Sequence, residues 1–371
     1  MTHDSRLTTR TILIAGGGTG GHLMPALAIA KALVDAGADV VPVLLGAERG
    51  VESWLLPQRH YPYHLLPIRP LFRQRVWRNL ALPWSLVRTA LQLRRIFAER
   101  RPSLVIGTGG YASAPAVWWA ARRRIPTAIQ EQNASPGLAT RMLAGRVDQI
   151  YLGLPEARVR LTPGPHTQVF DTGNPITPPE PGRRAAARLR FGLTGTERVL
   201  LVTGASQGAV PINQAVAGWL AAGGSQGMVV LWATGKGSYE QFRHLHRPPA
   251  VQVFDFLDPI ADAYAVADLA VARGGMMTGA ELCAWGIPSI IVPLPSAADD
   301  HQTANAVALD MAGAARHLPQ RELNPASFGL VVGELMADGP LRSAMAARAL
   351  QRGRPHAAAD IVSHCLTLLK A

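Results

Sequence analysis

The sequence predicts an α/β fold made of two doubly wound parallel sheets. Short apolar strands alternate with helical segments through both halves of the chain, which is typical of parallel sheets covered by helices on both faces. The chain has 371 residues and is too long for one ordinary core, so two domains are expected. Glycine-rich turns follow strands in each half, where open α/β sheets bind ligands.

The first half is predicted to form the first sheet. One of its helices is closed by Gly37, because glycine readily adopts the left-handed conformation that follows a last helical turn. The predicted strands are 12–15, 40–45, 104–106 and 127–129, and the predicted helices are 25–36, a long apolar and basic segment ending at 100, and 116–122.

A stretch rich in proline and glycine, 154–181, predicts a loop and interdomain linker. The alternation then restarts, with predicted strands at 199–202, 229–232, 251–253, 269–271 and 290–292 and a helix at 213–220. We expect an N-terminal domain over 1–174, a C-terminal domain over 175–350 and, over 351–371, a C-terminal helix that returns to the first domain.

The most informative segment is the junction Gly16–His22, which places five glycines and a histidine between a strand and a helix. Such a junction brings backbone N–H groups and a helix N-terminus against an anion, usually a phosphate. Gly16, Gly18 and Gly21 fit the G-x-G-x-x-G pattern of dinucleotide sites, with Glu48 as the acid that such a site needs. A dinucleotide site does not require His22, so another phosphate ligand is the favoured interpretation.

Two further turns in the second half suit phosphate ligands. Gly274–Glu281 places backbone N–H groups at a helix start, which suits a diphosphate. Glu281 lies about one turn inside this helix, where its carboxylate can accept hydrogen bonds from ribose hydroxyls. The simpler interpretation is that Glu281 only places a favourable negative charge near a helix N-terminus. Ser206 and Gln207 offer neutral donors in a turn after a strand. The polar run Asp299–Asn305 follows later.

Composition narrows the chemistry. The two cysteines form no disulfide framework or zinc pattern, and no apolar run reaches the roughly 18 residues of a membrane span; we expect a soluble, cytoplasmic protein. No Walker lysine, Asp-x-Asp pair or nucleophilic serine elbow occurs. These absences disfavour phosphoryl and acyl transfer and indicate a metal-independent reaction in which the helix start at Gly274–Thr278 neutralises a leaving diphosphate.

The net charge of +12 is concentrated between Arg69 and Arg101, where arginines alternate with apolar and tryptophan residues. This pattern suits the interface of an anionic membrane. We expect membrane contact for Leu71–Trp84, whereas Leu91–Phe97 is better explained as a helix whose apolar side belongs to the core. No nucleic-acid recognition motif accompanies the charge, so a nucleic-acid partner is not expected.

Together these motifs resemble the MurG-type glycosyltransferases, members of glycosyltransferase family 28. The matches occur in the family's order over nearly the whole chain: Gly17–Ala28 (GGTGGHLMPALA), Gly109–Pro115 (GGYASAP), Glu131–Gly137 (EQNASPG), Thr172–Pro175 (TGNP), Gly204–Gly208 (GASQG), Arg273-Gly274, Thr278–Leu282 (TGAEL) and Asp300–Ala306 (DHQTANA). Each match alone is weak, but the set is specific.

The resemblance implies a GT-B fold, in which two Rossmann-like domains face a cleft, and inverting transfer of N-acetylglucosamine from UDP-N-acetylglucosamine to lipid I (undecaprenyl-diphospho-muramoylpentapeptide) to form lipid II in peptidoglycan biosynthesis. It implies no cofactor and no metal. His22 is implied as the general base, with Glu131 as its partner. The implied donor-binding residues are Thr19, Gly20, Gly21, Asn133, Ser206, Gln207, Leu257, Met276, Met277, Thr278, Glu281 and Gln302, and the acceptor-binding residues are Gly17, Gly18, Gly109, Gly110 and Tyr111.

The resemblance also implies a peripheral protein at the cytoplasmic face of the plasma membrane, with other cell-wall synthesis proteins as further partners. The chain departs from the family's pattern at four positions: Gln130 replaces a histidine, Thr177 an arginine, and Met276 and Met277 small residues. Arg273 is a candidate to compensate for the cation missing at 177. The alternatives are a GT-B transferase with another lipid acceptor or sugar, a UDP-N-acetylglucosamine 2-epimerase, a non-catalytic relative and, last, a dinucleotide oxidoreductase.

Overall fold

The computed structural model describes residues 9–37, 39–69, 82–180, 182–204 and 208–370. It divides into two units: unit 1 comprises Met1–Ile176 and His356–Ala371, and unit 2 comprises Thr177–Pro355. The unit boundaries therefore fall at 176 and 355, where the sequence suggested 174 and 350.

Unit 1 contains a parallel sheet of seven strands: β1 (Arg10–Ala15), β2 (Val40–Ala47), β3 (Tyr63–Leu66), β4 (Leu104–Gly107), β5 (Thr127–Glu131), β6 (Gln149–Leu152) and β7 (Gln168–Phe170). Their spatial order is β3-β2-β1-β4-β5-β6-β7. The chain moves outward from β1 to β3 and returns to β4, so the strand order reverses between β1 and β4. Ligands bind at the carboxyl ends of the strands at such a reversal.

Helices cover both faces of this sheet: α1 (Gly20–Asp35), α2 (Glu52–Leu55), α3 (Leu82–Arg100), α4 (Ser113–Ala121) and α5 (Leu138–Leu143), with 3-10 turns at Leu56–Gln58 and Pro155–Arg160. Strand β1 belongs to both cores. Ile12 and Ile14 lie in one buried cluster, and Leu13 and Ala15 lie in the other, because successive side chains of a strand point to opposite faces.

Several sequence-based expectations in unit 1 were wrong: β3 and β6 were not predicted, and α4 begins at Ser113 rather than 116. Helix α1 begins at Gly20 rather than 25, so His22 lies in its first turn. The predicted start was placed at Pro25 because proline is common at the first position of a helix, but here Pro25 lies inside the helix. The stretch 154–181, read as loop, contains a 3-10 turn and the edge strand β7. A three-residue strand among prolines is too short to show the alternation that reveals longer strands.

Unit 2 contains a parallel sheet of six strands: β8 (Arg198–Thr203), β9 (Met228–Ala233), β10 (Val251–Phe254), β11 (Leu269–Arg273), β12 (Ser289–Val292) and β13 (Ala315–His317). Their order is β10-β9-β8-β11-β12-β13. The order reverses between β8 and β11; Gly204 directly follows β8, and Gly274 and Gly275 directly follow β11.

The helices of the second half are α6 (Arg183–Arg190), α7 (Val210–Ala221), α8 (Tyr239–Phe242), α9 (Ile260–Val266), α10 (Met276–Trp285), α11 (His301–Met311), α12 (Pro325–Ala337), α13 (Gly339–Arg352) and α14 (Ala357–Leu368), with 3-10 turns at Arg243–Leu245, Ala298–Asp300 and Gln320–Glu322. Helix α14 belongs to unit 1. Its residues Ile361, Val362 and Cys365 are buried in the cluster that contains Leu23 of α1. Within the described ranges, no helix has both the length and the apolar character needed to span a bilayer.

Candidate active site

Two glycine loops of unit 1 interlock at the carboxyl ends of β1 and β4. Gly109 and Gly110 have positive φ angles of +95° and +78°, which favour glycine. A Cβ on Gly110 would lie 1.9 Å from the carbonyl oxygen of Gly17. Side chains are therefore excluded at this crossing, and the sequence-predicted acceptor residues of both loops lie together.

The first turn of α1 presents backbone donors. Thr19 is the N-cap residue, and its side chain makes no capping hydrogen bond. Gly20 has open space where a side chain would stand. A helix N-terminus with uncapped N–H groups attracts anions, so Thr19, Gly20 and Gly21 suit a phosphate group.

His22 follows these donors directly and is partly buried. Its Nδ1 lies 3.0 Å from Oε1 of Gln132. Its carbonyl oxygen accepts a 2.8 Å hydrogen bond from the hydroxyl of Thr108. The histidine is thus held at its ring and at its backbone by residues that follow β5 and β4.

A buried chain of amides lies behind His22. Gln132 Nε2 donates to the carbonyl oxygen of Thr108 at 2.8 Å, to the carbonyl oxygen of Gln130 at 3.1 Å and to Gln130 Oε1. Gln130 Nε2 donates to Asn174 Oδ1 at 3.0 Å, and Asn174 Nδ2 donates to the carbonyl oxygen of Gln132 at 3.1 Å. All three amide side chains are nearly inaccessible to solvent.

Glu131, the expected partner of His22, is hydrogen-bonded within its own loop. Its Oε1 accepts from the backbone and side-chain nitrogens of Asn133, at 3.1 and 3.2 Å, and its Oε2 accepts from Gly137 N at 3.0 Å and Thr140 Oγ1 at 2.6 Å. The residue bonded to the His22 ring is the next one in the chain, Gln132. Gln132 directly follows β5, and its side chain lies on the side of Gln130, to which it is hydrogen-bonded. Adjacent side chains of a strand point to opposite sides, so Glu131 lies on the other side.

Glu52 is a residue of this site that the sequence did not reveal. Its buried carboxylate accepts from Gly18 N at 2.8 Å and from Ala47 N at 3.0 Å through Oε1, and thereby ties the first glycine loop to the end of β2. Oε2 has no hydrogen-bond partner among the described residues. Nothing in its local sequence, a single acid after Gly50-Val51, signals this role.

Tyr111 completes the loop assembly. Its hydroxyl donates to the carbonyl oxygen of Arg49 at 2.6 Å, and its ring would lie 2.7 Å from a Cβ on Gly18. Burial, and secondly the nearby carboxylate of Glu52, raise the pKa of Tyr111. Tyr111 therefore packs against the first loop as a neutral hydrogen-bond donor.

In unit 2, the turn after β11 leads into α10. Gly275 is the N-cap residue of α10 and supplies no side-chain cap, so the first-turn N–H groups of Met276, Met277 and Thr278 suit a diphosphate. A Cβ on Gly274 would lie 2.5 Å from the carbonyl oxygen of Gln302, which requires glycine there.

Helix α11 packs its polar side against this turn. Asn305 Nδ2 donates to the carbonyl oxygen of Gly274 at 3.0 Å, and Gln302 Oε1 accepts from Leu294 N at 3.0 Å. Because its oxygen is occupied, the Gln302 amide offers its nitrogen as a donor. A sugar hydroxyl is a suitable acceptor for it.

Glu281 is paired with a residue that the sequence did not single out. Tyr264 of α9 donates to Glu281 Oε2 at 2.8 Å. Burial raises the pKa of Glu281, and the hydrogen bond from Tyr264 opposes that rise. Its other carboxylate oxygen, Oε1, is of the acceptor type that suits a ribose hydroxyl.

The remaining expected donor residues are placed as follows. Leu257 is buried between β10 and α9, whereas the preceding Phe256 is 47% exposed. Ser206 and Gln207 lie outside the described residues. Thr177 is exposed at the start of unit 2.

Arg273 ends β11 and is 8% exposed. Its guanidinium donates to the carbonyl oxygens of Val292 and Pro293, at 3.3 and 3.1 Å, and burial lowers its pKa. It is therefore a buried cation two residues before the N-cap of α10.

Solved structures define the class to which this fold belongs. The structure of MurG from Acinetobacter baumannii matches with a TM-score of 0.78 and 28% identity, over 97% of this chain and 99% of that one. A putative UDP-N-acetylglucosamine 2-epimerase from Listeria monocytogenes matches with a TM-score of 0.68 at 14% identity, which shows a common fold only. The two parallel sheets form a GT-B fold.

Sequence comparison is more specific. Residues 12–152 match the glycosyltransferase family 28 N-terminal domain and residues 199–361 its C-terminal domain. Two relatives, from Salinibacter ruber and Alcanivorax borkumensis, are each 38% identical to this chain. The matches cover 96% of this chain, 96% of the first relative and 97% of the second. Both relatives are named UDP-N-acetylglucosamine--N-acetylmuramyl-(pentapeptide) pyrophosphoryl-undecaprenol N-acetylglucosamine transferase. The chain belongs to glycosyltransferase family 28.

Proposed function

We propose that this chain transfers N-acetylglucosamine from UDP-N-acetylglucosamine to lipid I, forming lipid II and UDP. The substrates are those in the names of its relatives. The observation that carries the proposal is the loop assembly of unit 1, in which an uncapped helix N-terminus and an oriented histidine are adjacent. In this proposal the helix N-terminus at Thr19–Gly21, which the resemblance assigned to the donor, suits the acceptor's diphosphate. The histidine suits the acceptor's reacting hydroxyl.

Unit 2 is the proposed donor site. The N-terminus of α10 receives the diphosphate, Glu281 accepts from the ribose and Gln302 donates to the sugar. The charge of the leaving UDP develops at these N–H groups, where fixed donors stabilise it without reorganisation. Arg273 adds a positive charge near the same turn, which supports its role as the substitute for the arginine absent at Thr177.

In the transfer, His22 removes the proton of the acceptor hydroxyl as its oxygen attacks the anomeric carbon of N-acetylglucosamine. The new glycosidic C–O bond forms while the bond from that carbon to the β-phosphate oxygen breaks, and the bonding electrons leave with UDP. The proton remains on His22 until it passes to solvent. A single displacement from the opposite face inverts the anomeric centre.

We also propose peripheral attachment to an anionic membrane at the cytoplasmic face. On α3, Trp84 and Leu91 are 68% and 62% exposed, whereas Leu93, Ile96 and Phe97 are buried, so this helix has one face in the core and apolar residues on the other. A cavity beside it is lined by Glu48, Arg49, Pro67, Ile68, Arg69, Trp84, Ser85 and Arg88. Most of the expected contact segment, 71–84, lies outside the described residues.

A transfer assay with UDP-N-acetylglucosamine, a lipid I analogue and EDTA tests the reaction. We expect turnover in EDTA, a loss of at least about 100-fold in kcat for His22→Ala, and normal turnover for His166→Ala, whose exposed side chain lies in the same unit. Full activity of His22→Ala would refute the base assignment. Conversion of UDP-N-acetylglucosamine in the absence of acceptor would instead favour an epimerase.

A further inference from the structure

We propose that Gln132 is a positioning residue that fixes the tautomer of His22, so that Nδ1 carries the ring hydrogen and Nε2 presents the lone pair. The inference rests on the proposed function only in assigning a catalytic purpose to that lone pair. The orientation of the ring hydrogen follows from the hydrogen bonds around Gln132.

The orientation of the Gln132 amide is decided by its nitrogen. Three oxygens surround that nitrogen: the carbonyl oxygens of Thr108 and Gln130 and the side-chain Oε1 of Gln130. If the amide were reversed, its oxygen would face these acceptors in a buried environment and no hydrogen bond would form. Buried polar groups without a hydrogen-bond partner are strongly disfavoured, so the nitrogen must occupy this position.

The other end of the amide then faces the histidine. Gln132 Oε1 lies 3.0 Å from His22 Nδ1 and can only accept a hydrogen bond. In a neutral imidazole one nitrogen is a donor and the other an acceptor. Nδ1 must therefore be the donor, which leaves Nε2 as the basic nitrogen.

The Gln130 side chain supports this arrangement from behind. Its Nε2 is engaged by Asn174 Oδ1 at 3.0 Å, so its Oε1 faces Gln132. Asn174 is fixed in turn by donating to the carbonyl oxygen of Gln132 at 3.1 Å. The order of donors and acceptors is consistent from Asn174 through Gln130 and Gln132 to His22, because each amide has only one orientation that satisfies its neighbours.

The tautomer is directly measurable. In protein labelled with ¹⁵N-histidine, one- and two-bond ¹H–¹⁵N correlations distinguish the two neutral forms, and the His22 signals are assigned from their absence in His22→Gln. At a pH of about 8, where an ordinary histidine is neutral, we expect wild-type His22 to carry its hydrogen on Nδ1. A hydrogen on Nε2 in the wild-type protein would overturn the proposal without any reference to activity.

Substitutions then test whether Gln132 is the cause. Gln132→Met keeps the side-chain length and removes the acceptor, so we expect His22 to become a mixture of tautomers. In the transfer assay, kcat should fall about 10- to 100-fold, less than the roughly 10⁴-fold loss caused by a locked wrong tautomer in serine proteases, with both KM values within about twofold. Gln149→Met is the matched control, because Gln149 is equally buried in the neighbouring strand β6 and its amide donates to Gln168 and Thr367.

The conservative variant separates orientation from packing. In Gln132→Glu one carboxyl oxygen can still accept from Nδ1–H, and the other must carry a proton in order to donate to the acceptors around it, the oxygens of Thr108 and Gln130. The wild-type tautomer and most of the lost kcat should therefore return in this variant at a pH where its carboxyl group is protonated. An unchanged tautomer in Gln132→Met would refute the proposal even if kcat fell, and full activity of His22→Gln would refute the base assignment while leaving the tautomer result intact.

Discussion

Tyr264→Phe isolates one hydrogen bond at the donor site. The substitution removes the hydroxyl that donates to Glu281 Oε2 at 2.8 Å and leaves the ring, which packs 6.3 Å from the ring of Trp285 between centroids. The variant therefore changes the orientation and proton affinity of Glu281 with little loss of packing. If Glu281 accepts from the ribose, UDP binding will respond.

The expected magnitude follows from the kind of bond that is lost. A hydrogen bond to a charged group contributes about 1.5–3 kcal/mol, and 1.4 kcal/mol corresponds to a tenfold change in affinity. We expect the lower end, about a tenfold increase in the UDP dissociation constant at neutral pH, because the backbone of α10 still holds Glu281 in place.

The pH dependence provides a sharper signature. Burial raises the pKa of Glu281, and the Tyr264 hydrogen bond opposes that rise, so Tyr264→Phe raises the pKa further. UDP affinity, which needs the ionised carboxylate, should increase with pH in both proteins, but over a higher pH range in the variant. The free energy of unfolding changes with pH in the opposite direction. A carboxyl pKa that is raised in the folded protein means that the native state binds the proton more tightly than the unfolded state does. The contribution of Glu281 to stability therefore decreases as pH rises from the unfolded-state pKa, about 4.3, to the folded-state pKa.

Isothermal titration calorimetry with UDP over a pH series, together with thermal unfolding, measures both effects. Tyr239→Phe is the control, because Tyr239 is a partly buried tyrosine on α8 of the same unit. Glu281→Gln should bind UDP weakly at every pH and lose the pH dependence of this group. Identical UDP affinity of Tyr264→Phe and wild type across the series would show that Tyr264 serves packing alone.

Three further predictions concern the glycine loops of unit 1 and the buried cation at the end of β11. Gly110→Ala should abolish turnover and destabilise unit 1 by more than about 1 kcal/mol, because its φ is +78° and its Cβ would meet the Gly17 carbonyl at 1.9 Å; normal melting and KM would contradict this. Glu52→Gln keeps an oxygen that can accept from the two backbone N–H groups, so it should raise the KM for the lipid substrate less than Glu52→Ala does. Equal KM values in the two variants, measured on samples shown by calorimetry to be equally folded, would count against a role of Glu52 in holding the loop. Arg273→Ala should weaken UDP-N-acetylglucosamine binding and Thr177→Arg should partly restore it, whereas unchanged affinity in Arg273→Ala would end the compensation hypothesis.

The fold was predictable because its signal is repeated. The central strands β1, β4, β8 and β11 contain short apolar runs, and the predicted runs 12–15, 104–106, 199–202 and 269–271 all fall inside them. The edges carried less information. The edge strands β3, β7 and β13 were missed because they are partly exposed and four residues or shorter. The interior strand β6 was also missed, because its four residues, QIYL, contain a polar glutamine and no uninterrupted aliphatic run.

At the candidate site, the sequence revealed the glycine loops but not the side chains that hold them in place. Glycine loops are visible in a sequence because they exclude side chains at close crossings, as at Gly17 and Gly110. The residues that orient the loops are ordinary polar side chains brought together from distant positions. Glu52 lies 34 residues from the loop that it holds, and Gln132 lies 110 residues from His22, so no local pattern could link them.

Gln130, where the family pattern has histidine, shows how such a substitution can be accommodated in this chain. The side chain must accept a hydrogen bond from Gln132 and donate one to Asn174, and a glutamine amide does both at any pH. A neutral imidazole at this position also has one donor and one acceptor. An imidazolium has two donors, so it could not accept the hydrogen bond from the side-chain amide nitrogen of Gln132. Gln130 therefore keeps the polarity of the chain that ends at His22, and it removes a titratable group from behind the proposed base.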